Sequence, residues 1–439
     1  MNWVARTAAA LIALQLVVRA VLAFGGYFYW DDLILVGRAG TQSLLSPSFL
    51  FDDHDGHVMP AAFLVSGVIT RLAPFSWVWP ALSLVALQLL VSLALLRALW
   101  AILGWRPVLL VPLTFALFTP LGVPGFAWWA AGLNSLPMLA ALAWVCGEAV
   151  LLVRTGRRRH AVTGVLVYFG GLLFFEKAAV IPFVAFAVVA LLGYVTATFR
   201  LREVWQRGLR LWVPCLALTV TWVGVYLVVV DQKRWSFDVA MTRDLLSRSV
   251  THGIVPGLVG GPWSWQRWVA AGYAVACQIP IYLMRSSRFT ALELAQTLRY
   301  LPDLVKVLAL LMAVGFCAAN RTTRFSDRFS APRTRTLVAV VLAVAFVASS
   351  LYSTLTYLQV WRDSPVPAYL DNARAGLATA SDAPLLDQEV DPLILQRVAY
   401  PENLASHMFA LARPRPEFAS ATTDLRMFDR TGKLVGATV

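Results

Sequence analysis

Residues 7–24, TAAALIALQLVVRAVLAF, run almost directly into residues 27–60, YFYWDDLILVGRAGTQSLLSPSFLFDDHDGHVMP, and these two stretches decide the architecture. The first is long and apolar enough to cross a bilayer as a helix. Its Arg19 either snorkels or faces a protein interior. The second carries Asp31, Asp32, Asp52, Asp53 and Asp55, with His54 and His57 beside the last three. Five of the 24 acidic residues therefore fall in one loop of a chain whose net charge is +13. An acid at the bilayer centre costs roughly 2.5–3.5 kcal/mol, so this group belongs at the water interface or in a wet cavity. Crowded carboxylates also repel one another, which couples their titration.

Outward from this loop the composition is that of a membrane protein. The apolar fraction is 59% and only 14% of the residues are charged. Several apolar stretches of about 20 residues exclude a soluble domain and are too continuous for an outer-membrane barrel, so the spans are helices. The basic balance is mostly loop arginine that orients helices, and nucleic acid is not an expected partner. Cys146, Cys215, Cys277 and Cys317 all lie inside apolar runs without metal-ligand spacing. No small-residue cleavage site precedes the acidic loop, so the first segment reads as an anchor.

Further spans are expected at about 77–103, to about 119, and at 136–153, 161–175, 178–199, 211–230, 268–284, 304–319 and 337–357. Pro60 opens a segment to about Leu72 that is too short to span, and 31–45 reads as an interfacial helix. The total is about 10–11 transmembrane helices. The RTGRRRH cluster after Val153 and the RLREVWQRGLR cluster after Phe199 suit cytoplasmic loops. They set the N-terminus inside and the acidic loop outside. Alternation and the arginine rule conflict beyond residue 231; an additional crossing or a re-entrant piece near 250–265 reconciles them and puts the tail outside. The expected division is residues 1–360 as the transmembrane domain, with 27–75 its first outer loop, and 361–439 as a small outer α/β or β domain. In that tail Thr431-Gly432 supplies the turn of a hairpin.

The charged residues admit plain and chemical readings. Asp31-Asp32 either end a helix in solvent or hold a base at the membrane surface. The DDHDGH run suits a divalent cation at Asp52, Asp53 and Asp55, a phosphate held through histidine, or a polar turn; its spacing matches no defined metal site. Glu176-Lys177, between LLFF and AAVIPF, is either a hairpin tip or a place where Lys177 neutralises a phosphate. Arg299 is a second candidate for that task, or an interfacial anchor. Trp128, Trp129 and Asn134 suit a sugar pocket, and an aromatic belt explains the tryptophans equally well.

The acidic pair Trp30-Asp31-Asp32 after a first span, the His57-Val58-Met59-Pro60 sequence and the outer Glu176-Lys177 junction together form a pattern. It resembles the integral-membrane glycosyltransferases of the GT-C fold, such as protein mannosyltransferases, lipid A aminoarabinose transferases and mycobacterial arabinosyltransferases. The resemblance covers about the first 200 residues. It implies a multi-pass protein of a bacterial plasma membrane that transfers a sugar, with inversion, from a polyprenyl-phosphate donor to a hydroxyl of a glycan or lipid acceptor on the outer face. The base would be Asp31 or Asp32, and Lys177, Arg299 and His57 would meet the donor phosphate. Asp52, Asp53, His54, Asp55, Trp128, Trp129, Asn134 and Glu176 would line the acceptor and sugar pocket. No cofactor is required on this reading. The His-x-x-Pro sequence departs from the His-Pro-Pro of mannosyltransferases, so the sugar and the acceptor do not carry over. A transporter or flippase for a lipid-linked or anionic solute, and a non-catalytic envelope-assembly protein, are the alternatives. Against a transporter, the ionisable residues gather at one interface and no repeat is visible.

Overall fold

The computed structural model describes residues 2–230, 301–319, 332–380 and 383–437. The expected span at 268–284, the re-entrant piece near 250–265, Cys277 and Arg299 lie outside the described residues. Helix α1 (Trp3–Phe24) is followed by α2 (Asp31–Thr41), α3 (Pro47–Leu50) and α4 (Pro60–Leu72), then by α5 (Val78–Leu103), α6 (Leu110–Phe118) and α7 (Val123–Ala127). Next come α8 (Trp129–Thr155), α9 (Arg158–Phe174), α10 (Ile181–Thr196) and α11 (Leu201–Val229). Further along, α12 (Pro302–Ala319), α13 (Pro332–Arg362), α14 (Val366–Thr379) and the short α15 (Ala405–Met408) are the remaining α-helices among the described residues. Among the described residues, six helices are long and apolar enough to cross a membrane, or seven if the pair bent by 48° around residue 119 is one span. The stretches expected as spans at 161–175 and 304–319 form the helices α9 and α12, which are not among those six.

Helix α8 is the axis of the bundle. It is apolar all round and buried along nearly its whole length between α5, α9 and α10. Small residues let its neighbours approach: a Cβ at Gly132 would fall 2.3 Å from Leu84, and one at Gly147 would fall 3.2 Å from Ala98. Its one buried acid, Glu148, meets Arg97 of α5 at 2.7 Å and His160 of α9 at 2.5 Å, a three-helix ion cluster inside the bundle. The sequence reading starts this span at Leu136, behind a glycine- and proline-rich loop. The helix begins seven residues earlier, because an outside carboxylate caps its first turn, and it carries Pro137 internally.

The tail packs on the face that bears the 27–75 loop. The Phe409 and Phe75 rings lie 6.1 Å apart, Arg374 stands over Phe75, and Tyr29 meets Trp361 at 5.2 Å. Loop and tail therefore pack together at one end of the bundle. The tail holds α14, a parallel pair of β1 (Leu385–Leu386) with β2 (Phe418–Ala419), and the hairpin of β3 (Arg426–Phe428) with β4 (Leu434–Gly436). Gly432 turns the hairpin at φ +83°, as the Thr431-Gly432 sequence leads one to expect.

Candidate active site

Asp31 and Asp32 occupy the first turn of α2, where the helix dipole favours carboxylates, yet they do different things. Asp32 is fully buried. Its Oδ1 accepts from the Ala130 amide at 2.7 Å, capping α8 from outside, and its Oδ2 accepts from the Tyr29 amide at 2.9 Å. Burial pushes the Asp32 carboxyl well above the usual range, against the lowering effect of those two amides. The same carboxylate clamps the turn in which Trp30 is held at φ +44°. Such a conformation costs about 1–3 kcal/mol in a non-glycine residue and persists only where neighbours enforce it. The clamp leaves Asp31 on the wall of a cavity of about 60 Å³.

The DDHDGH run is a two-residue hairpin. His54 and His57 exchange backbone hydrogen bonds at 3.2 and 3.0 Å, and Asp55 and Gly56 both sit at positive φ, the conformation Asp-Gly serves in such turns. The turn separates its acids. Asp52 faces away to pair with Arg38 at 2.9 Å, and Asp53 accepts from the Gly56 amide at 2.6 Å. Asp55, His54 and His57 face the cavity. Helix α11 steadies the hairpin through the Tyr226 hydroxyl, which donates to the Gly56 carbonyl at 3.0 Å. Among the described residues no group of three His, Cys, Asp or Glu side chains is arranged to hold a metal ion.

Glu176 and Lys177 lie in a short 3₁₀ turn between α9 and α10 and reach in different directions. Glu176 Oε1 is 2.6 Å from Nδ1 of His57, and Lys177 Nζ is 2.8 Å from Oδ2 of Asp303 in the first turn of α12. One dipeptide thus ties the acidic loop to α12. Lys177 and Asp303 both line the cavity, with Trp128, Asn134 and Met59. Trp129 does not; it is buried and donates to the Ser83 hydroxyl at 3.1 Å. The cavity therefore joins Asp31, Asp55, His54, His57, Trp128, Asn134 and Lys177, while Asp32, Glu176, Asp52, Asp53 and Trp129 stand behind or beside it.

Two participants escaped the sequence reading. Arg38, buried in α2, stacks over Phe63 at 4.6 Å and holds Asp52, and burial lowers its pKa. Asp303 follows Pro302 at the head of an apolar run, a helix-start signal that places a carboxylate at a membrane interface.

The chain is similar to the crystal structure of ArnT from Cupriavidus metallidurans bound to undecaprenyl phosphate. The TM-score is 0.50 at 14% identity, over 93% of this chain and 89% of that one. The chain has the GT-C fold. Two further structures are similar at lower scores. AglB from Archaeoglobus fulgidus, solved with an inhibitory peptide and a dolichol-phosphate, gives 0.47 at 10% identity, over 81% of this chain and 56% of its own. The arabinofuranosyltransferase AftD from Mycobacteria gives 0.44 at 20% identity, over 89% of this chain and 32% of its own. No protein-family model matches the sequence, and no curated protein does. In this GT-C fold, the first loop and the α9–α10 turn supply most of the polar wall of the cavity.

Proposed function

We propose that the protein is a membrane glycosyltransferase that moves a sugar from a polyprenyl-phosphate donor to a hydroxyl acceptor at the outer face of a bacterial plasma membrane. The observation that carries this reading is the convergence of Asp31, Asp55 and Lys177 on one cavity at the membrane interface. The fold adds support, since the similar ArnT structure holds undecaprenyl phosphate.

Asp31 acts as the base. Its neighbour Asp32 spends both oxygens on backbone amides, whereas Asp31 faces the cavity and can accept the proton of an acceptor hydroxyl. Departure of a lipid phosphate leaves positive charge at the anomeric carbon and negative charge on the leaving oxygen. The carboxylates of the cavity suit the first, as in other oxocarbenium-like transition states, and Lys177 suits the second. Attack on the face opposite the departing phosphate inverts the anomeric centre. His57, oriented through Nδ1 by Glu176, holds the wall between these charges. Trp128 offers a ring face to the sugar, and Asn134 a side-chain amide.

The test is transfer of label from a panel of radiolabelled polyprenyl-phosphate sugars to envelope acceptors by the purified protein in lipid. Label reaching an acceptor, and lost in Asp31→Asn with the protein still folded, supports both the class and the base. Full transfer by Asp31→Asn removes the base assignment. Solute uptake without transfer by the same vesicles favours a transporter.

A further inference from the structure

Beneath the candidate active cavity, and sharing Ser135, Leu139 and Pro302 with it, lies a smaller chamber between α1, α5, α6, α8 and α12. Its polar lining is Gln15, Arg19, Gln88, Ser135 and Lys306. Among the described residues no aspartate or glutamate lines it. Arg19 is 5% exposed and Lys306 is 6% exposed, and among the described residues neither forms an ion pair. The Arg19 guanidinium lies over the Phe126 ring at 5.0 Å, and its Nη1 has no hydrogen-bond partner. Among the described residues Lys306 Nζ reaches only the Ala116 carbonyl, at 3.4 Å, longer than an ordinary hydrogen bond. Two cations held together away from water, with no counter-charge among the described residues and an unused donor, are a costly arrangement in protein of low dielectric constant. Intramembrane charges of this kind face a partner or a ligand.

The free space measures about 10 Å³, room for one water-sized particle. A phosphate is too large for it. We propose that this chamber binds a halide-sized inorganic anion between Arg19 and Lys306. The anion offsets one of the two positive charges and lowers the repulsion between Arg19 of α1 and Lys306 of α12 under the floor of the cavity. This inference is independent of the transferase reading, because it rests on the charges of the chamber alone.

The test uses the full chain in detergent. Thermal unfolding is followed across a chloride series, with sodium gluconate holding ionic strength constant and bromide as a second ligand. Binding to the folded state predicts that Tm climbs with the logarithm of chloride concentration, on the order of 1–3 °C per tenfold. Lys306→Met removes half of the cationic pair and abolishes that dependence; Arg19→Lys keeps both charges and retains it. In crystals grown with bromide, an anomalous peak between the two side chains is expected. A wild-type Tm indifferent to exchange of gluconate for chloride overturns the proposal. So does an unchanged chloride slope in Lys306→Met, or a chamber without anomalous signal. If Lys306→Met does not fold, the wild-type chloride series and the bromide crystals still decide.

Discussion

The ammonium of Lys177 and the carboxylate of Asp303 meet at 2.8 Å, joining the α9–α10 turn to the head of α12 on the cavity wall. Asp303 lies in the first turn of α12, where the helix dipole supports its charge. The pair thus stations a cation beside the space where a leaving phosphate would develop charge. Lys177→Met is expected to lower transfer by about 100-fold or more, the usual effect of removing one group that stabilises developing charge. Lys177→Arg should keep part of the rate. Initial rates against donor concentration check this, and equal rates in wild type and Lys177→Met would remove the lysine from the mechanism.

The division of labour in the Asp31-Asp32 pair separates two variants by kind. Asp31→Asn should reduce transfer by about 10²–10⁴-fold, the range of a lost general base, while leaving Tm unchanged. In Asp32→Asn one oxygen still caps α8, but an NH₂ group replaces the acceptor that Tyr29 needs. Leaving a buried donor unmatched costs about 1–3 kcal/mol. Asp32→Asn should therefore unfold at lower temperature and lose activity through that instability. A large fall in Tm for Asp31→Asn, with none for Asp32→Asn, would reverse the assignment.

The helices and the acidic loop were legible because burial in lipid and exposure to water leave opposite signatures in composition. The long runs at α5 and α10 and the polar island at 52–57 are plain in sequence. What was not legible is which way side chains turn. Asp31 and Asp32 are identical residues side by side, and what sets Asp32 apart includes an amide 98 residues away, that of Ala130. Glu176-Lys177 reads as one charged unit, yet its members pair with His57 and Asp303, on separate elements. The start of α8 was missed because glycine, proline and tryptophan at 121–137 read locally as loop, whereas a tertiary carboxylate cap carries the helix back to Trp129.

Buried His54 gives the loop a pH dependence of definite sign. Burial lowers its pKa below the usual 6.5, and the nearby Asp31 and Asp55 charges only partly offset that. The folded state takes up a proton less readily than the unfolded chain. The stability His54 contributes is therefore complete above about pH 6.5 and is lost as pH falls from there through its folded-state value. Asp32 has the opposite sign, since its raised pKa makes its contribution fall as pH rises. Subtracting the Tm profile of His54→Gln from that of wild type isolates the histidine. The difference should shrink between about pH 7 and about pH 5. A difference that is flat or grows on acidification would show that His54 is charged when folded.

Contact between the tail and α2 provides a last test, of whether the tail braces the acidic loop. Gly40 lies on the last turn of α2, and a Cβ there would fall 2.6 Å from the Cβ of Ala410, closer than two carbons can approach. The chain around 410 would have to move as a unit, because Phe409 is buried between Phe75 and Phe428, with ring separations of 6.1 and 5.6 Å. Gly40→Leu is therefore expected to loosen the tail from α2 and leave the spans intact, since Gly40 lies at the C-terminal end of α2, at the opposite end from the Asp32 carboxylate that accepts from Ala130 of α8. Limited proteolysis should then cut between residues 383 and 437 faster in the variant than in wild type, by about tenfold for each 1.4 kcal/mol of lost docking energy. Helical content by circular dichroism should stay constant. If transfer activity falls together with protease resistance, the tail holds α2, and with it Asp31, in place. If proteolysis accelerates while activity is unchanged, the loop keeps its shape without the tail.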